Sequence, residues 1–261
     1  MPRKPRWTTI DYKDGVLVVE LSSWKYFHDY VHQKMLPYYY YVWRGQRDAA
    51  WGLQTSLDRA LRFQPKAVHA AVARRHLENF KLAARGRRGS NPSPIKEENE
   101  WWALAQHNGM ATPLLDWTAS PFVALYFAFE RDEAPPAGLR AVWALGGFES
   151  KDDEITQAHT DETRPPILEL VRPMQDENAR LVNQSGLFTR VPIGKTVETW
   201  VQANYKGDPD AAVLLKLLLP NTGRPECLRT LNKMNINHLS LFPDLFGAGE
   251  HCNKTLAIDG Y

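Results

Sequence analysis

Two short segments of the sequence carry the residues that could bind a phosphorylated ligand and act on it. The first is WRGQ at residues 43–46, followed closely by Trp51. Arg44 could present its planar guanidinium to a phosphate group, and Gly45 would let the ligand come close to the backbone. An arginine that forms a salt bridge at the edge of a sheet would give the same local sequence, so these residues alone leave both interpretations open.

The second segment is QHNGMATPLLDWTASPFVALYFAF at residues 106–129. Asp116 could accept hydrogen bonds from ribose hydroxyls or orient His107, and Trp117 and Tyr126 could stack on a flat heterocycle. We expect only Trp117 to touch a ligand, because Tyr126 lies more than a turn into an alanine-bearing helix and is more typical of a core residue. Asp116 could also be a simple helix cap, and His107 a loop residue without a role.

The secondary structure around this second segment explains why its polar residues could meet a ligand. Leu114 and Leu115 predict a strand, and the helical spacing of later apolar residues predicts a helix that begins with Ser120 as N-cap and Pro121 in the first turn. Unpaired N–H groups at such a junction favour bound anions. We therefore expect five polar residues from both segments to converge on one pocket: Arg44, Gln46, His107, Asp116 and Thr118.

The rest of the chain alternates β-rich and helical patterns, which predicts an α+β fold. Further strands are predicted at 16–21, 38–44, 139–145, 167–171, 186–191 and 213–219. Further helices are predicted at 24–35, 57–63, 67–84, 96–106 and 226–234. Residues 86–94 and 151–166 are polar and are predicted to be loops, and the glycines at 247 and 249 suggest a turn.

Composition limits the class of protein. The 261 residues are 43% hydrophobic and carry a net charge of +2, which suffices for a full core and does not demand nucleic acid. A basic cluster is most typical of a solvated helix face; it contains Arg74, Arg75, Lys81, Arg85, Arg87 and Arg88. Two cysteines fit a reducing cytoplasm, and neither a signal segment nor a membrane span is evident.

Other chemistries find little support in the sequence. His28 and His32 have the spacing of two zinc ligands on a helix, but no glutamate follows His28 and no third ligand lies nearby, so we expect no metal. The nucleophile elbow G-x-S-x-G, the phosphate loop G-x-x-x-x-G-K and the dinucleotide fingerprint G-x-G-x-x-G are all missing from the sequence.

The two segments together resemble the FRG domain, a family named for an aromatic-Arg-Gly motif. WRGQ with Trp51 and the block QHNGMATPLLDWTASPFVALYFA carry the resemblance, and RLVNQSGLFT at 180–189 and LFPDL at 241–245 extend it. Pro113 stands where the family pattern leads us to expect an arginine. The resemblance implies one domain over residues 1–261, with a core at about 38–250 and an N-terminal strand and helix extension at 1–37.

A more distant resemblance, to the mono-ADP-ribosyltransferase fold, implies a split mixed-sheet core with flanking helices and a site for NAD. Arg44 and Gly45 match the strand that holds NAD. Asp116, Thr118 and the helix at 124–128 match the second element. For the third element, which brings a glutamate or a substitute, Gln184 is the first choice, with two fallbacks. These are Glu226 and Glu169.

The implied activity is transfer of ADP-ribose from NAD to a protein or nucleic-acid acceptor, in a toxin or phage-defence setting. The catalytic residues expected from the resemblance are Arg44, His107, Asp116 and Gln184. Those expected to bind NAD are Arg44, Gly45, Gln46, Thr112, Asp116, Trp117, Thr118 and Tyr126. The alternative is a non-catalytic module that binds a nucleotide or a protein in the same cleft. An acid in the third position, facing Arg44 and Asp116, would favour the enzyme.

Overall fold

The fold is built on one mixed sheet. The computed structural model describes residues 4–161, 163–173 and 179–261. Within these residues, eight strands form a sheet in the order β1-β2-β8-β5-β3-β4-β7-β6. Neighbouring strands are antiparallel except β2 and β8, which are parallel. The strands are β1 Trp7–Lys13, β2 Val16–Leu21, β3 Val42–Gln46, β4 Leu114–Thr118, β5 Leu139–Leu145, β6 Glu169–Val171, β7 Gly186–Arg190 and β8 Leu214–Pro220.

Helices cover both faces of the sheet. They are α1 Phe27–Tyr30, α2 Ser56–Leu61, α3 His69–Ala83, α4 Glu98–His107, α5 Pro121–Phe129, α6 Glu149–Ala158, α7 Ala179–Asn183, α8 Val197–Asn204, α9 Arg224–Lys233, α10 His238–Leu241 and α11 Leu245–Ala257. A 3-10 turn at Trp24–Tyr26 and a π turn at Val31–Met35 extend α1 at its two ends. In the part of the chain that the structure describes, no helix is both long and apolar enough to span a bilayer.

Three apolar clusters form the core. The first packs α1, α5 and α9 against strand residues such as Trp43 and Val142. The second packs α8 against residues such as Trp117 and Trp143. The third joins α2, α3 and α4 to Leu114 and Phe188. The architecture is therefore α+β, because the helices pack against a mostly antiparallel sheet in all three apolar clusters.

The strands that carry the two motif segments separate soon after they meet. β3 and β4 pair at a single register position, Trp43 with Thr118, whereas β3 pairs with β5 at five positions and β4 with β7 at five. Helix α5 follows β4 directly and lies against β3. A Cβ added to Gly45 would sit 1.9 Å from the carbonyl oxygen of Ala124 and 2.5 Å from the backbone nitrogen of Ala128. Gly45 is therefore the residue that lets α5 lie directly on β3: the helix fills the space where a Cβ would be, and Gly45 also lines the cavity described below.

Most predicted elements are confirmed, and the α5 start is confirmed in detail. Ser120 accepts a hydrogen bond from the backbone N–H of Val123, and Pro121 occupies the first turn. The strand predicted at 38–44 is wrong in its first half, because residues 38–41 form turns closed by the backbone N–H of Tyr38 to Met35 and of Tyr41 to Tyr38. Only its end belongs to β3.

The predicted loop at 151–166 is also wrong, because α6 occupies its first half. This helix is polar and was hard to recognise, since Ile155 is the residue by which it packs on the second cluster. Its Asp152 accepts a hydrogen bond from the backbone N–H of Leu168. The turn suggested at residues 247 and 249 lies inside α11, where Gly247 packs against the Phe242 carbonyl. β1, α8 and α10 were not predicted at all.

Candidate functional site

A cavity of about 920 Å³ opens where β3 and β4 diverge. Residues from both motif segments line it, together with side chains from the segment after β3 and from the C-terminal third of the chain. The lining residues that carry the argument are Arg44, Arg47, Trp51, Arg59, Asp116 and Arg131. A volume of this size lies at the upper end of the range for small-molecule sites, which is about 300–1,000 Å³.

Arg44 bridges the two diverging strands. Its Nη1 donates to the backbone carbonyl oxygen of Asp116 at 2.7 Å and lies 3.7 Å from the Asp116 Oδ2. Its Nε is buried and has no hydrogen-bond partner among the described residues. Burial lowers the pKa of Arg44, Asp116 opposes that effect and Arg59 adds to it. The guanidinium stays charged at neutral pH, and its buried Nε is a donor that the described residues leave unpaired.

Asp116 is held by a chain of polar side chains that begins outside the cavity. The Nε2 of Gln106 donates to the Asp116 Oδ1 at 2.8 Å, and the Oε1 of Gln106 accepts a hydrogen bond from the hydroxyl of Thr112. The Asp116 side chain remains 64% exposed. One carboxylate oxygen is thus oriented by Gln106 while the group as a whole stays open to a ligand.

Four arginines give the cavity a positive lining. Arg47 and Arg131 are partly compensated, by Glu133 at 2.9 Å and by Glu130 at 3.8 Å. Arg59 donates to the backbone carbonyl of Gln54 and has no acidic ion-pair partner in the described part of the chain. Against these four charges stands one acid in the lining, the aspartate of β4. The cavity therefore favours a ligand with at least two negative charges.

Trp51 is the most exposed aromatic side chain in the cavity lining. Its side chain is 46% exposed, it lines the cavity, and the guanidinium of Arg47 lies 4.9 Å from its ring centre. Phe127 and Phe242 also line the cavity. Trp51 follows the first motif in the sequence, but nothing in the sequence distinguishes it from a core tryptophan.

The structure does not place Trp117 and Tyr126 where either ring could stack on a ligand. Trp117 contributes to the lining, but it is 3% exposed and its Nε1 donates to the hydroxyl of Thr189 at 2.9 Å within the second cluster. Tyr126 is fully buried and its hydroxyl lies 3.0 Å from the Nδ1 of His238. Successive strand residues alternate between faces, so exposing Asp116 turns the neighbouring indole into the core.

Thr112 and His107 also lie outside the cavity lining. Thr112 is fully buried, and its role is to hold Gln106. His107 is the last residue of α4 and stays exposed; partial burial and then Arg180 lower its pKa, while Asp244 opposes them. Of the five residues expected to converge, the cavity is lined by four: Arg44, Gln46, Asp116 and Thr118.

Gln184, the first choice for the third element of the resemblance, has an amide side chain where a glutamate would carry a charge. Gln184 lines the cavity, and its side-chain Nε2 donates to the backbone carbonyl oxygen of Leu241. The backbone carbonyl oxygen of Gln184 accepts a hydrogen bond from the hydroxyl of Thr118. Neither fallback lies in the lining. Glu226 pairs with Lys25 at 2.9 Å, and Glu169 pairs with Arg164 on the edge strand β6. Among the described residues, no group of three or more histidines, cysteines or acids could hold a metal ion.

Comparison with known proteins gives a family match for the central segment of the chain. Residues 39–136 match the family model of the FRG domain, and this segment comprises 98 of the 261 residues. This central segment is therefore similar to the FRG domain, in agreement with the resemblance based on WRGQ and on residues 106–129. The segments at 180–189 and 241–245 lie outside the match. Comparison with curated proteins and with solved structures gave no match.

Proposed function

We propose that the cavity binds NAD and that the protein transfers ADP-ribose from it to a macromolecular acceptor. The observation that carries the proposal is the lining itself, in which four arginines surround one oriented carboxylate. NAD contains two phosphate groups, two riboses and two flat heterocycles, and each part has a chemical counterpart here. Guanidinium groups bind phosphates, a carboxylate accepts from ribose hydroxyls, and an exposed indole stacks on a heterocycle.

Arg44 and Arg59 are the residues assigned to the two phosphates. Arg44 has a buried Nε without a partner among the described residues, and Arg59 has no acidic partner there. Burial is the main cause of the lowered pKa of Arg44, and the nearby charge of Arg59 adds to it. A bound diphosphate would offset both positive charges, so binding energy is gained where the free protein is electrostatically unfavourable.

Asp116 is assigned to the reacting ribose. When nicotinamide leaves, positive charge develops on the ribose, and a nearby fixed anion stabilises that transition state. Gln106 acts as a positioning residue, because it touches Asp116 and lies outside the lining. The divergence of β3 from β4 after one pair is compatible with the proposal, since the resemblance to mono-ADP-ribosyltransferases implies a split mixed-sheet core. That resemblance is also the reason to expect a toxin or phage-defence setting.

A second candidate, a nucleotide-binding module without catalysis, is favoured by one observation. The third position holds Gln184, and both glutamates considered for it lie elsewhere. The two candidates share a ligand and differ only in turnover. Titration calorimetry with NAD tests the shared part, and mass spectrometry of acceptors incubated with NAD tests transfer.

The outcomes of these two measurements are distinct. Saturating NAD at about a hundred times its Kd should stabilise the fold by about 2.7 kcal/mol, so melting provides an independent check of binding. Binding with ADP-ribose added to an acceptor supports the enzyme. Binding without release of nicotinamide, under all acceptors tried, selects the module. Lack of any heat or melting shift with NAD contradicts both.

A further inference from the structure

A strongly basic surface lies beside the cavity and, apart from Arg59, is not used by the proposed NAD site. Residues 59–88 contain nine lysines or arginines and one acid, Glu78, which gives this stretch a charge of +8. The whole chain carries +2, so the remaining residues carry −6. Positive charge is therefore concentrated on α2, on α3 and on the loop that follows α3.

The basic surface is defined here by six exposed side chains: Arg59, Arg62, Lys66, Arg74, Arg75 and Arg85. No ion pair joins any of them to an acid within the described ranges. Lys81, by contrast, pairs with Glu78 at 2.8 Å. The surface thus faces solvent with uncompensated charge, which attracts a polyanion.

We propose that this basic surface binds single-stranded nucleic acid. Phe63 provides the second observation: its ring is 85% exposed, and the Arg62 guanidinium lies 4.5 Å from its centre. An exposed aromatic ring among arginines is what an unpaired base needs for stacking while the arginines contact phosphates. Duplex recognition would not use Phe63 in this way, because paired bases are not free to stack on it.

The structure argues against a membrane as the occupant. A helix that lies on a membrane inserts an apolar face into the lipid. Most of the apolar face of α3 is already used, since Ala73 and Leu77 are buried in the third cluster with Leu57 and Leu61 of α2; the large apolar side chain that α3 leaves exposed is Leu82. What α3 presents to solvent includes Arg74 and Arg75, and these are suited to phosphates on a strand.

Arg59 connects the basic surface to the cavity, because it belongs to both. A single nucleic-acid strand bound along α3 and α2 would extend to the mouth of the cavity. Nucleic acid then becomes the acceptor class for the transfer reaction; this last step rests on the proposed function, whereas binding of the strand does not.

The test measures binding without NAD. Fluorescence anisotropy of a labelled oligouridylate of about 20 nucleotides, longer than common single-strand sites, is followed against salt concentration with the full chain. We expect Arg74→Ala/Arg75→Ala to weaken binding about tenfold and to reduce the slope of log K against log salt by about 1.4. The matched control is Lys206→Ala/Lys233→Ala, which removes the same charge from exposed sites on other elements and should have little effect.

Phe63→Ala gives a second readout, since it should weaken binding several-fold and leave the salt slope unchanged. All variants are at exposed positions, so their melting temperatures should match the parent. Equal losses in the basic-surface variant and the control would overturn the proposal. So would lack of oligonucleotide binding, or binding to phosphatidylserine vesicles instead. Arg44→Lys should still bind the oligonucleotide. A loss of NAD binding in this variant can therefore be distinguished from a loss of nucleic-acid binding.

Discussion

Arg44 ties the end of one motif strand to the backbone of the other: its Nη1 donates to the Asp116 carbonyl oxygen at 2.7 Å. The same guanidinium keeps its Nε buried and unpaired among the described residues. An arginine that served only to hold two strands together would be expected to satisfy all its donors. Arg44 therefore combines a structural contact with a buried donor that the described residues leave unpaired.

Replacing this guanidinium by an amine separates the two roles. Arg44→Lys keeps one positive charge that can still reach the Asp116 carbonyl, but it loses the planar fork and the Nε donor. We expect NAD binding to weaken at least about tenfold, with a change in stability of about 1 kcal/mol or less. Calorimetry and thermal melting measure the two effects. A matched Arg180→Lys exchange, outside the cavity lining, should leave NAD affinity unchanged; an equal loss there would refute the assignment.

Asp116→Asn isolates the charge of the carboxylate. The asparagine Oδ1 can still accept from the Nε2 of Gln106, which approaches Asp116 at 2.8 Å, so the side chain keeps its orientation. We expect NAD to bind at least as tightly, because the cavity becomes more positive, and the transfer of ADP-ribose to fall at least about a hundredfold. Undiminished transfer by this variant would show that Asp116 is not the stabilising anion.

Gly45→Ala should unfold the domain rather than block a ligand. The added methyl would lie 1.9 Å from the Ala124 carbonyl oxygen, and a helix backbone cannot move aside as a flexible side chain can. We expect a loss of several kcal/mol, on the order of 3 or more, or insoluble protein. Gly52→Ala is the matched control, because Gly52 lines the same cavity and its methyl would meet Glu198 at an ordinary 3.6 Å. Similar melting of the two variants would contradict this account.

Trp117 and Tyr126 should both report on stability. Trp117→Ala removes a buried indole and leaves the Thr189 hydroxyl without its donor, so we expect a loss of about 3–5 kcal/mol. Tyr126→Phe keeps the ring and removes the hydroxyl, and with it the contact with His238, which should cost about 1–2 kcal/mol. NAD affinity of Tyr126→Phe, measured below its melting temperature, should equal that of the parent. A selective loss of NAD affinity in that variant would return Tyr126 to the binding site.

The sequence allowed the elements around the site to be predicted, because their patterns are local. Strand β4 and helix α5 are marked by an apolar pair, a capping serine and a proline, all within a few residues. β1 was missed because nearly all its residues are exposed at the edge of the sheet, so no alternation marks it. α11 was missed because its two glycines resemble a turn, although Gly247 is there to pack on Phe242.

The site could be predicted only where a residue's role depends on its own segment. Arg44 and Asp116 lie at strand positions that the motif itself fixes. Arg59 and Trp51 come to the cavity by the packing of α2 and of the chain before it, which no spacing reveals. Trp117 shows the opposite case. It directly follows the exposed Asp116, and because side chains alternate between the two faces of a strand, its indole is buried in the core.

Asp152 provides a test of the structure by pH. Burial raises the pKa of this carboxyl to about 7 from its ordinary 3.8, Glu149 and Asp153 add to the rise, and the N–H of Leu168 opposes it. The folded state thus holds a proton more tightly than the unfolded chain. The stability that this proton contributes is complete at low pH and is lost as the pH rises from about 4 to about 7.

Asp152→Asn should therefore stabilise the fold at high pH and have little effect at low pH. The asparagine Oδ1 can still accept from the Leu168 N–H, so the variant mimics the protonated carboxyl. Allowing for solvent screening of a half-buried group, we expect a gain of about 1–2 kcal/mol at about pH 8, or roughly 3–6 °C in Tm. Asp259→Asn is the control, because that carboxyl is exposed and is not among the groups that shift the pKa of Asp152. A gain that is equal at about pH 4 and about pH 8 would mean that Asp152 is not buried against Leu168 as the structure has it.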